Sequence, residues 1–300
     1  MNRIVIIGSS NVDLTAMVKS LPRPGETVGG AKLIQANGGK GANQAVAAAR
    51  LGAEVLLLTC LGKDANGESL AKHLTAEGID TSKIKYSSSP TGTALIFVDD
   101  NAENCIAVAP GSNMDLMPAD VNEISEELKG AAYLLLQMEL PMATVEWAVK
   151  LSDTLGTKVV LNPAPMSPVS DELLSHVWLL TPNETEAEKL TGITIHSEDD
   201  ARLAADKLFA KGVKNVIITM GSKGSLVCTR ERSEFVPSRK VKAIDTTGAG
   251  DCYNGTLVAA LAEGKDLFDA ARIATAAAAI AVTRMGAQTA APYRKEIDII

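Results

Sequence analysis

The run from Asp245 to Asp251 places two carboxylates, two hydroxyls and a Gly-Ala-Gly turn within seven residues. It lies between a strand-like segment at 241–244 and a helix-like stretch at 252–263. A turn that opens a helix presents free backbone N–H groups, which form an anion site together with the positive end of the helix dipole. Asp251 in such a site would take a proton from a hydroxyl as that hydroxyl attacks a bound phosphate. The structural alternative is an ordinary helix start that is capped by Thr or Asp.

Residues 38–44, with the sequence GGKGANQ, open a second helix-like stretch. Glycines let the backbone approach a ligand closely, and Lys40 and Asn43 supply side-chain donors. A Walker A phosphate loop requires Ser or Thr after its Lys, and here Gly41 follows Lys40, so that motif is absent. A glycine-rich helix start without a ligand is the alternative.

Asn11 and Asp13 follow the first predicted strand, two residues apart. In an extended chain both side chains point to the same side, where an amide and a carboxylate could grip neighbouring hydroxyls. Paired surface polar residues after a strand are the simpler alternative.

Two later clusters also follow strands. Asn183 and Glu186 open a helix, either as a capping box or with Glu186 near a Mg²⁺ ion through water. Residues 219–224 join two strands, either as a plain turn or as a wall for a nucleotide.

Apolar runs alternate with amphipathic stretches along the chain. Predicted strands are Ile4–Ile7, Val55–Cys60, Tyr133–Leu136, Val159–Leu161, Val177–Leu180, Val216–Thr219 and Ser225–Cys228. Predicted helices are Ala42–Leu51, Gly67–Glu77, Pro118–Leu128, Thr144–Leu155, Glu184–Leu190, Asp199–Lys211 and Gly250–Glu263. The alternation predicts an α/β fold, a mostly parallel central sheet with helices on both faces. Ligands on such sheets bind beyond the carboxyl ends of the strands, where the polar clusters lie.

Residues 12–36 and 91–109 break this alternation, and the second segment reads as a hairpin. We expect them to form a small β-sheet that acts as a lid. The α/β catalytic domain would then comprise residues 1–11, 37–90 and 110–300.

Composition excludes several classes of protein. The chain has 300 residues, is 46% hydrophobic and carries a net charge of −7, which argues against a nucleic-acid partner. The longest apolar run near the end, 276–282, is too short for a membrane span, and the first residues do not read as a signal peptide. Four widely spaced cysteines favour reduced thiols and a cytoplasmic location.

Other catalytic signatures are missing. The sequence has no G-x-G-x-x-G before a helix, no G-x-S-x-G and no H-E-x-x-H. Its three histidines have no partner pattern, so nicotinamide chemistry, histidine catalysis and zinc are all poor candidates.

Taken together, the motifs resemble the ribokinase family of carbohydrate kinases over essentially the whole chain. The matching segments are 8–13, 24–27, 38–44, 162–165, 181–188, 245–251 and 276–288. The resemblance implies ATP-dependent phosphorylation of D-ribose at the 5-hydroxyl group. Kinases of deoxyribose, of another sugar or of a nucleoside are alternatives, and a sugar-binding regulator without catalysis is a further one. Intact Asp251, Gly248, Gly250 and Lys40 argue against the regulator.

The resemblance also implies a role for individual residues. Asp251 would be the base, and the N–H groups of Gly248, Ala249 and Gly250 would form the anion hole. The sugar would be held by Asn11, Asp13, Gly39, Lys40, Asn43, Glu139 and Asp251. ATP would be contacted by Asn183, Thr219, Gly221, Ser222, Gly224, Gly250 and Thr275.

Cations and a partner subunit are implied in the same way. Glu186 would support Mg²⁺ through water. A monovalent cation, K⁺, would lie at Asp245, Thr247, Ala281, Arg284, Gly286 and Ala290. Ala290 departs from the family pattern, which often has Ser there, and so removes a side-chain ligand. The lid would pair with the lid of a second subunit in a homodimer.

Cys252 lies beside Asp251 in the first turn of a helix, where the pKa of a thiol tends to fall. One hypothesis is therefore that Cys252 is the most reactive thiol and that ATP protects it. A buried, inert cysteine under the sheet is the alternative.

Overall fold

Strands and helices alternate along most of the chain, as the apolar runs predict. The computed structural model describes residues 3–101 and 103–297. In these residues the strands are β1 (Ile4–Ile7), β2 (Asn11–Met17), β3 (Lys32–Gly38), β4 (Val55–Leu58), β5 (Cys60–Gly62), β6 (Lys85–Ser87), β7 (Gly92–Val98), β8 (Asn104–Ala109), β9 (Tyr133–Leu136), β10 (Lys158–Leu161), β11 (Leu179–Leu180), β12 (Asn215–Thr219), β13 (Gly224–Cys228) and β14 (Ser233–Pro237).

The α-helices lie mostly between these strands. They are α1 (Lys40–Arg50), α2 (Ala65–Ala76), α3 (Pro118–Asn122), α4 (Ser125–Lys129), α5 (Met142–Thr154), α6 (Asp171–Ser175), α7 (Glu184–Thr191), α8 (Glu198–Ala210), α9 (Ala249–Ala262), α10 (Leu267–Ala281) and α11 (Arg294–Ile297).

The central sheet has the strand order β14-β13-β12-β11-β10-β9-β1-β4. Its strands from β12 to β4 pair in parallel, and β13 and β14 add an antiparallel edge. Alternate residues of β1 point to opposite faces. Ile4 and Ile6 belong to a buried cluster that includes residues of α1, α2, α9 and α10, while Val5 and Ile7 belong to a second cluster that includes residues of α5 and α8. The predicted fold class is therefore confirmed.

A smaller sheet has the order β3-β2-β7-β8, with β2 and β7 parallel and the outer pairs antiparallel. It takes its strands from the two segments that interrupt the alternation, and the predicted hairpin is the β7–β8 pair. The division into a catalytic domain and a lid stays a prediction, and its residues 1, 2, 102 and 298–300 lie outside the described part of the chain.

Several predicted elements were wrong in extent. The helix predicted at Pro118–Leu128 is two short helices, α3 and α4, separated at the buried Ile124. The strand predicted at Val55–Cys60 divides into β4 and β5, because Cys60 pairs with β6 rather than with the central sheet. The strand at Val177–Leu180 shortens to two residues.

Other elements were missed or misassigned. The strand-like segment 241–244 is an exposed loop, and β6, β14, α6 and the Ala-rich α10 were not predicted. Within the described residues, every helix is too short or too polar to cross a bilayer.

Candidate active site

The first turn of α9 lies at the carboxyl edge of the central sheet. Gly248 is its N-cap in the left-handed conformation (φ 70°), and no side chain caps the helix there. Glycine is required because a Cβ would stand 2.6 Å from the Cβ of Ala287 and because the φ is positive. Ala249 also donates its N–H to the carbonyl of Thr246 at 3.2 Å. The first N–H groups of a helix have no intrahelical acceptor, so this turn is compatible with the anion site expected from the sequence, which stays a prediction.

Asp251 sits in that same turn and is 6% exposed. Its Oδ2 accepts a hydrogen bond of 2.9 Å from Asn43 Nδ2, and its Oδ1 accepts one of 2.9 Å from Gln44 Nε2. Burial raises the pKa of Asp251, whereas Lys40 and the two amide donors oppose that shift. The carboxyl group is thus held in place by neutral donors, with acceptor capacity left for a substrate hydroxyl.

The residues predicted to hold a sugar gather next to Asp251. Glu139 accepts hydrogen bonds from Ser9 Oγ and from the backbone N–H of Lys40. Asn43 Oδ1 is buried and has no hydrogen-bond partner, while its Nδ2 donates to Asp251. Asn11 differs, because its Oδ1 already accepts a bond from Asn113 Nδ2 at 2.7 Å.

The charged side chains in this region shift one another's pKa values. Burial, then Glu139 and then Asp251 raise the pKa of Asp13 to about 6. Burial opposes the charge on Lys40, but Asp251, Glu139 and Glu186 together raise the pKa of Lys40. One ammonium therefore stands among several carboxyl groups. Gly39 (φ 87°) lies so close to Ser10 and Asn11 that a Cβ would meet their backbone at 2.6 Å.

A cavity of about 350 Å³ opens from Asp251 across the ends of the strands. Of the predicted ATP contacts, all but Ser222 line it: Asn183, Thr219, Gly221, Gly224, Gly250 and Thr275. Lys40, Glu186, Gly248 and Ala249 line it as well, whereas Asn11, Asp13, Gly39, Asn43 and Glu139 do not. Asp251 and Lys40 are thus shared between this cavity and the cluster of predicted sugar residues.

Glu186 is part of a helix cap as well as of the cavity wall. Its Oε2 accepts from the N–H of Asn183, while Asn183 Oδ1 accepts from the N–H of Glu186, so the capping box is formed. Burial raises the pKa of Glu186. The cap uses one carboxylate oxygen of Glu186.

Of the residues predicted for a monovalent cation, Ala281 ends α10, and the others lie on two adjoining loops at 245–247 and 284–290. Asp245 accepts from the N–H of Thr247 at 2.9 Å and from that of Gly286 at 2.8 Å. Burial would raise the pKa of Asp245, but these two bonds hold it below its usual value. Ala281 and Ala290 are buried, and Arg284 forms an ion pair with Glu296.

The hypothesis of a reactive Cys252 was wrong. The thiol is buried, and loss of hydration raises its pKa to about 12 despite its place in the first turn of a helix. Burial outweighs the helix dipole here, so the alternative of an inert cysteine holds.

No role is predicted from the sequence for a group of buried amides that lies near Asp251. Gln44, Gln137 and Asn162 connect to one another by hydrogen bonds, and Asn254 donates to the carbonyl of Gly250 at 2.8 Å. The sequence does contain an indication of their position, because Gln137 and Asn162 directly follow predicted strands and Gln44 follows Asn43. Only the fold shows that they meet.

Comparison with known proteins gives consistent matches over the whole chain. A family model described as pfkB family carbohydrate kinase matches residues 1–294. The chain is 45% identical to a ribokinase of Haemophilus influenzae over 98% of its length and 96% of that protein. It is 38% identical to a deoxyribokinase of Salmonella typhi over 98% and 97%. The structure of an Arabidopsis thaliana ribokinase complexed with ribose and ATP matches with a TM-score of 0.92 and 32% identity, covering 99% and 98% of the two chains.

Proposed function

The chain belongs to the pfkB family of carbohydrate kinases, and from this premise we propose that it transfers a phosphoryl group from ATP to the 5-hydroxyl group of D-ribose. The observation that carries the proposal is the junction at Asp251. A buried carboxyl group, an uncapped helix N-terminus and a cavity large enough for a nucleotide phosphate chain meet there.

The proposed reaction needs one proton transfer and stabilisation of charge. The 5-hydroxyl oxygen bonds to the terminal phosphorus of ATP while the bond from that phosphorus to ADP breaks. Asp251 accepts the hydroxyl proton, and positioned bases contribute about 10²- to 10⁴-fold in rate. The N–H groups of Gly248, Ala249 and Gly250 would stabilise the transferred group.

The residues around the cluster suit a polyhydroxylated substrate. Asp13 and Glu139 are carboxyl groups that accept from sugar hydroxyls, and Lys40 and Asn43 supply donors. We assign these residues, with Asn11 and Gly39, to the sugar.

Mg²⁺ fits the donor set near the cavity. Within the described residues no three His, Cys, Asp or Glu side chains cluster in a way that would hold a metal by themselves. Mg²⁺ keeps much of its water shell and binds through one or two carboxylates plus substrate phosphates. Glu186 would support it through water, and the ion would offset charge on the phosphates of ATP.

K⁺ fits the two loops at Asp245. The hydrogen bonds from Thr247 and Gly286 favour an ionised carboxylate there, which would attract a cation behind the anion site. Carbonyl oxygens of Thr247, Ala281, Arg284 and Gly286 would complete the coordination. Ala290 has no side-chain oxygen, so we expect activation by K⁺ to be modest.

We also propose a homodimer through the lid, and a cytoplasmic location. The small sheet exposes apolar side chains such as Leu33 (68%), Leu95 (46%) and Phe97 (36%), a patch of the kind that marks interaction sites. Sedimentation of the protein at several concentrations tests the dimer.

The proposed cytoplasmic location rests on the cysteines. All four are free thiols, as a reducing compartment favours. Cell fractionation tests the location.

A second acceptor, deoxyribose, is favoured by the likeness to a deoxyribokinase. The two sugars differ in one hydroxyl, and a polar site that hydrogen-bonds this group rejects the analogue that lacks it. Loss of that bond leaves a polar group of the site unpaired.

An acceptor panel tests the proposal. ADP formation would be measured with ribose, 2-deoxyribose, fructose and nucleosides, with and without Mg²⁺ and K⁺. The expected result is the highest kcat/KM with ribose, dependence on Mg²⁺ and a modest gain with K⁺. A higher value with 2-deoxyribose would establish the second acceptor, and no turnover with any acceptor would contradict the proposal.

A further inference from the structure

Gln44 is the side chain that connects Asp251 to the central sheet. It is fully buried, and its Nε2 donates both to Asp251 Oδ1 at 2.9 Å and to Asn162 Oδ1 at 3.1 Å. Its Oε1 accepts a bond of 2.6 Å from Gln137 Nε2. Both hydrogens of the Gln44 amide and one lone pair of its oxygen are therefore in use.

The direction of this network is fixed from one end. Asn162 Nδ2 donates at 3.2 Å to the carbonyl oxygen of Thr181, which can only accept. Asn162 therefore turns Oδ1 toward Gln44, and Gln44 must donate to it from Nε2. The oxygen of Gln44 then faces Gln137, whose amide supplies the donor. A flipped Gln44 would place its oxygen against the carboxylate of Asp251.

We propose that Gln44 is a positioning residue for the phosphoryl-transfer base: its amide, oriented by Asn162 and Gln137, holds Oδ1 of Asp251 while Asn43 holds Oδ2. This proposal rests on the proposed role of Asp251 as base. Two donors on two oxygens fix the plane of the carboxylate and leave a lone pair on each oxygen for a sugar hydroxyl.

The donor also affects the charge of Asp251. Asp251 is surrounded by the carboxyl groups of Asp13, Glu139 and Glu186 and by the thiol of Cys252, and Lys40 is the nearby cation. Burial favours the protonated form of Asp251, which could not accept a proton. A donor at 2.9 Å favours the ionised form, so Gln44 would keep the base ready at neutral pH.

A role confined to folding is the competing explanation, because any buried carboxyl group needs partners. The two explanations differ in one observable. Loss of a purely structural bond lowers stability without changing the pH at which the enzyme loses activity. Loss of a donor to the base moves that pH.

The test is the pH profile of kcat for Gln44→Met and Gln44→Glu, with ribose and ATP saturating. Removal of the donor should move the acidic limb of the profile upward by about one pH unit in Gln44→Met, a tenfold change in the protonation equilibrium. Gln44→Glu should move it further, because it adds a like charge. The KM for each substrate should change by less than about threefold, since Gln44 is fully buried and does not line the cavity.

Gln137→Met provides a second variant in case Gln44 substitutions fail to fold. Gln137 does not touch Asp251, so the limb should move in the same direction by a smaller amount. Thr157→Val is the matched control, because it removes a buried side-chain bond, to the carbonyl of Leu128, outside the network. The acidic limb of the kcat profile of Thr157→Val should not move.

Unmoved acidic limbs in the Gln44 and Gln137 variants, with turnover lowered only as stability falls, would overturn the proposal. That result is distinct from failure of the proposed function. The latter would appear in the unaltered protein as absence of ribose phosphorylation, or as turnover that survives Asp251→Asn.

Discussion

Asp13 combines a place in the sugar cluster with an unfavourable charge in the folded protein. Burial and the neighbouring Glu139 and Asp251 raise its pKa to about 6, from a usual value near 3.8. A carboxyl group with a raised folded pKa contributes stability below its unfolded pKa, and that contribution is lost as pH rises through the folded pKa. Ionised Asp13 therefore destabilises the ligand-free protein above pH 6.

Asp13→Asn is expected to stabilise the ligand-free protein at pH 8 by about 1–3 kcal/mol and to leave its stability nearly unchanged at pH 4. The same variant should weaken ribose binding, because an amide replaces a carboxylate acceptor. Thermal unfolding at both pH values and calorimetric titration with ribose would measure the two effects. A gain of equal size at both pH values would contradict the charge argument.

At the residue scale, the sequence predicts charged and glycine residues of the site better than it predicts the amides. Asp251, Lys40 and Gly248 can be recognised from the sequence because each lies in a short segment rich in glycine and polar residues. Folding alone seldom requires such a segment. Gln44, Gln137 and Asn162 lie on three separate segments, and amides are common in any polar loop. Their meaning depends on contacts between elements, which local patterns do not contain.

The packing of α1 against α9 sets the distance between Asp251 and its two amide partners. Gly255 faces α1, where a Cβ would stand 2.2 Å from the carbonyl oxygen of Gln44 and 2.8 Å from the Cβ of Ala47. The glycine lets the two helices approach closely enough for Asn43 and Gln44 to reach Asp251.

Gly255→Ala should force the helices apart, which would lower the free energy of unfolding by about 1–3 kcal/mol. It should also lower kcat more than it changes KM for either substrate, because the base loses its alignment. Denaturant unfolding and steady-state kinetics would test this. Gly250→Ala is the control for stability, since it adds the same methyl group to α9 where nothing lies within 4 Å. Equal stability of the two variants would refute the packing argument.

Among whole elements, the sequence predicts amphipathic helices and buried strands well and fails where those signals are missing. The Ala-rich α10 is buried along much of its length and so lacks a clear polar stripe. The helix predicted at 118–128 breaks because Ile124 turns into the core between α3 and α4. β11 has only two paired residues, Leu179 and Leu180, because β10 ends opposite Leu180 and β12 begins opposite Leu179.

At the scale of the whole molecule, the strand order brings the site together. The parallel order from β12 to β4 places the residues that follow β1, β9, β10 and β11 along one edge of the sheet. α1 and α9 then bring Lys40 and Asp251 to that edge from the same face. The sequence predicts which residues follow strands, but strand order arises from contacts distant in the chain, so the meeting of these residues required the fold.

Asp251 is proposed to accept the proton of the sugar hydroxyl, and Asp251→Asn is the variant that removes this base. Asn keeps the size of the side chain and one acceptor oxygen but cannot act as the base at neutral pH. Calorimetric titration should show ribose binding within a few fold of the unaltered protein, while kcat falls by about 10²- to 10⁴-fold. Near-normal turnover in Asp251→Asn, with ribose binding intact, would show that Asp251 is not the base.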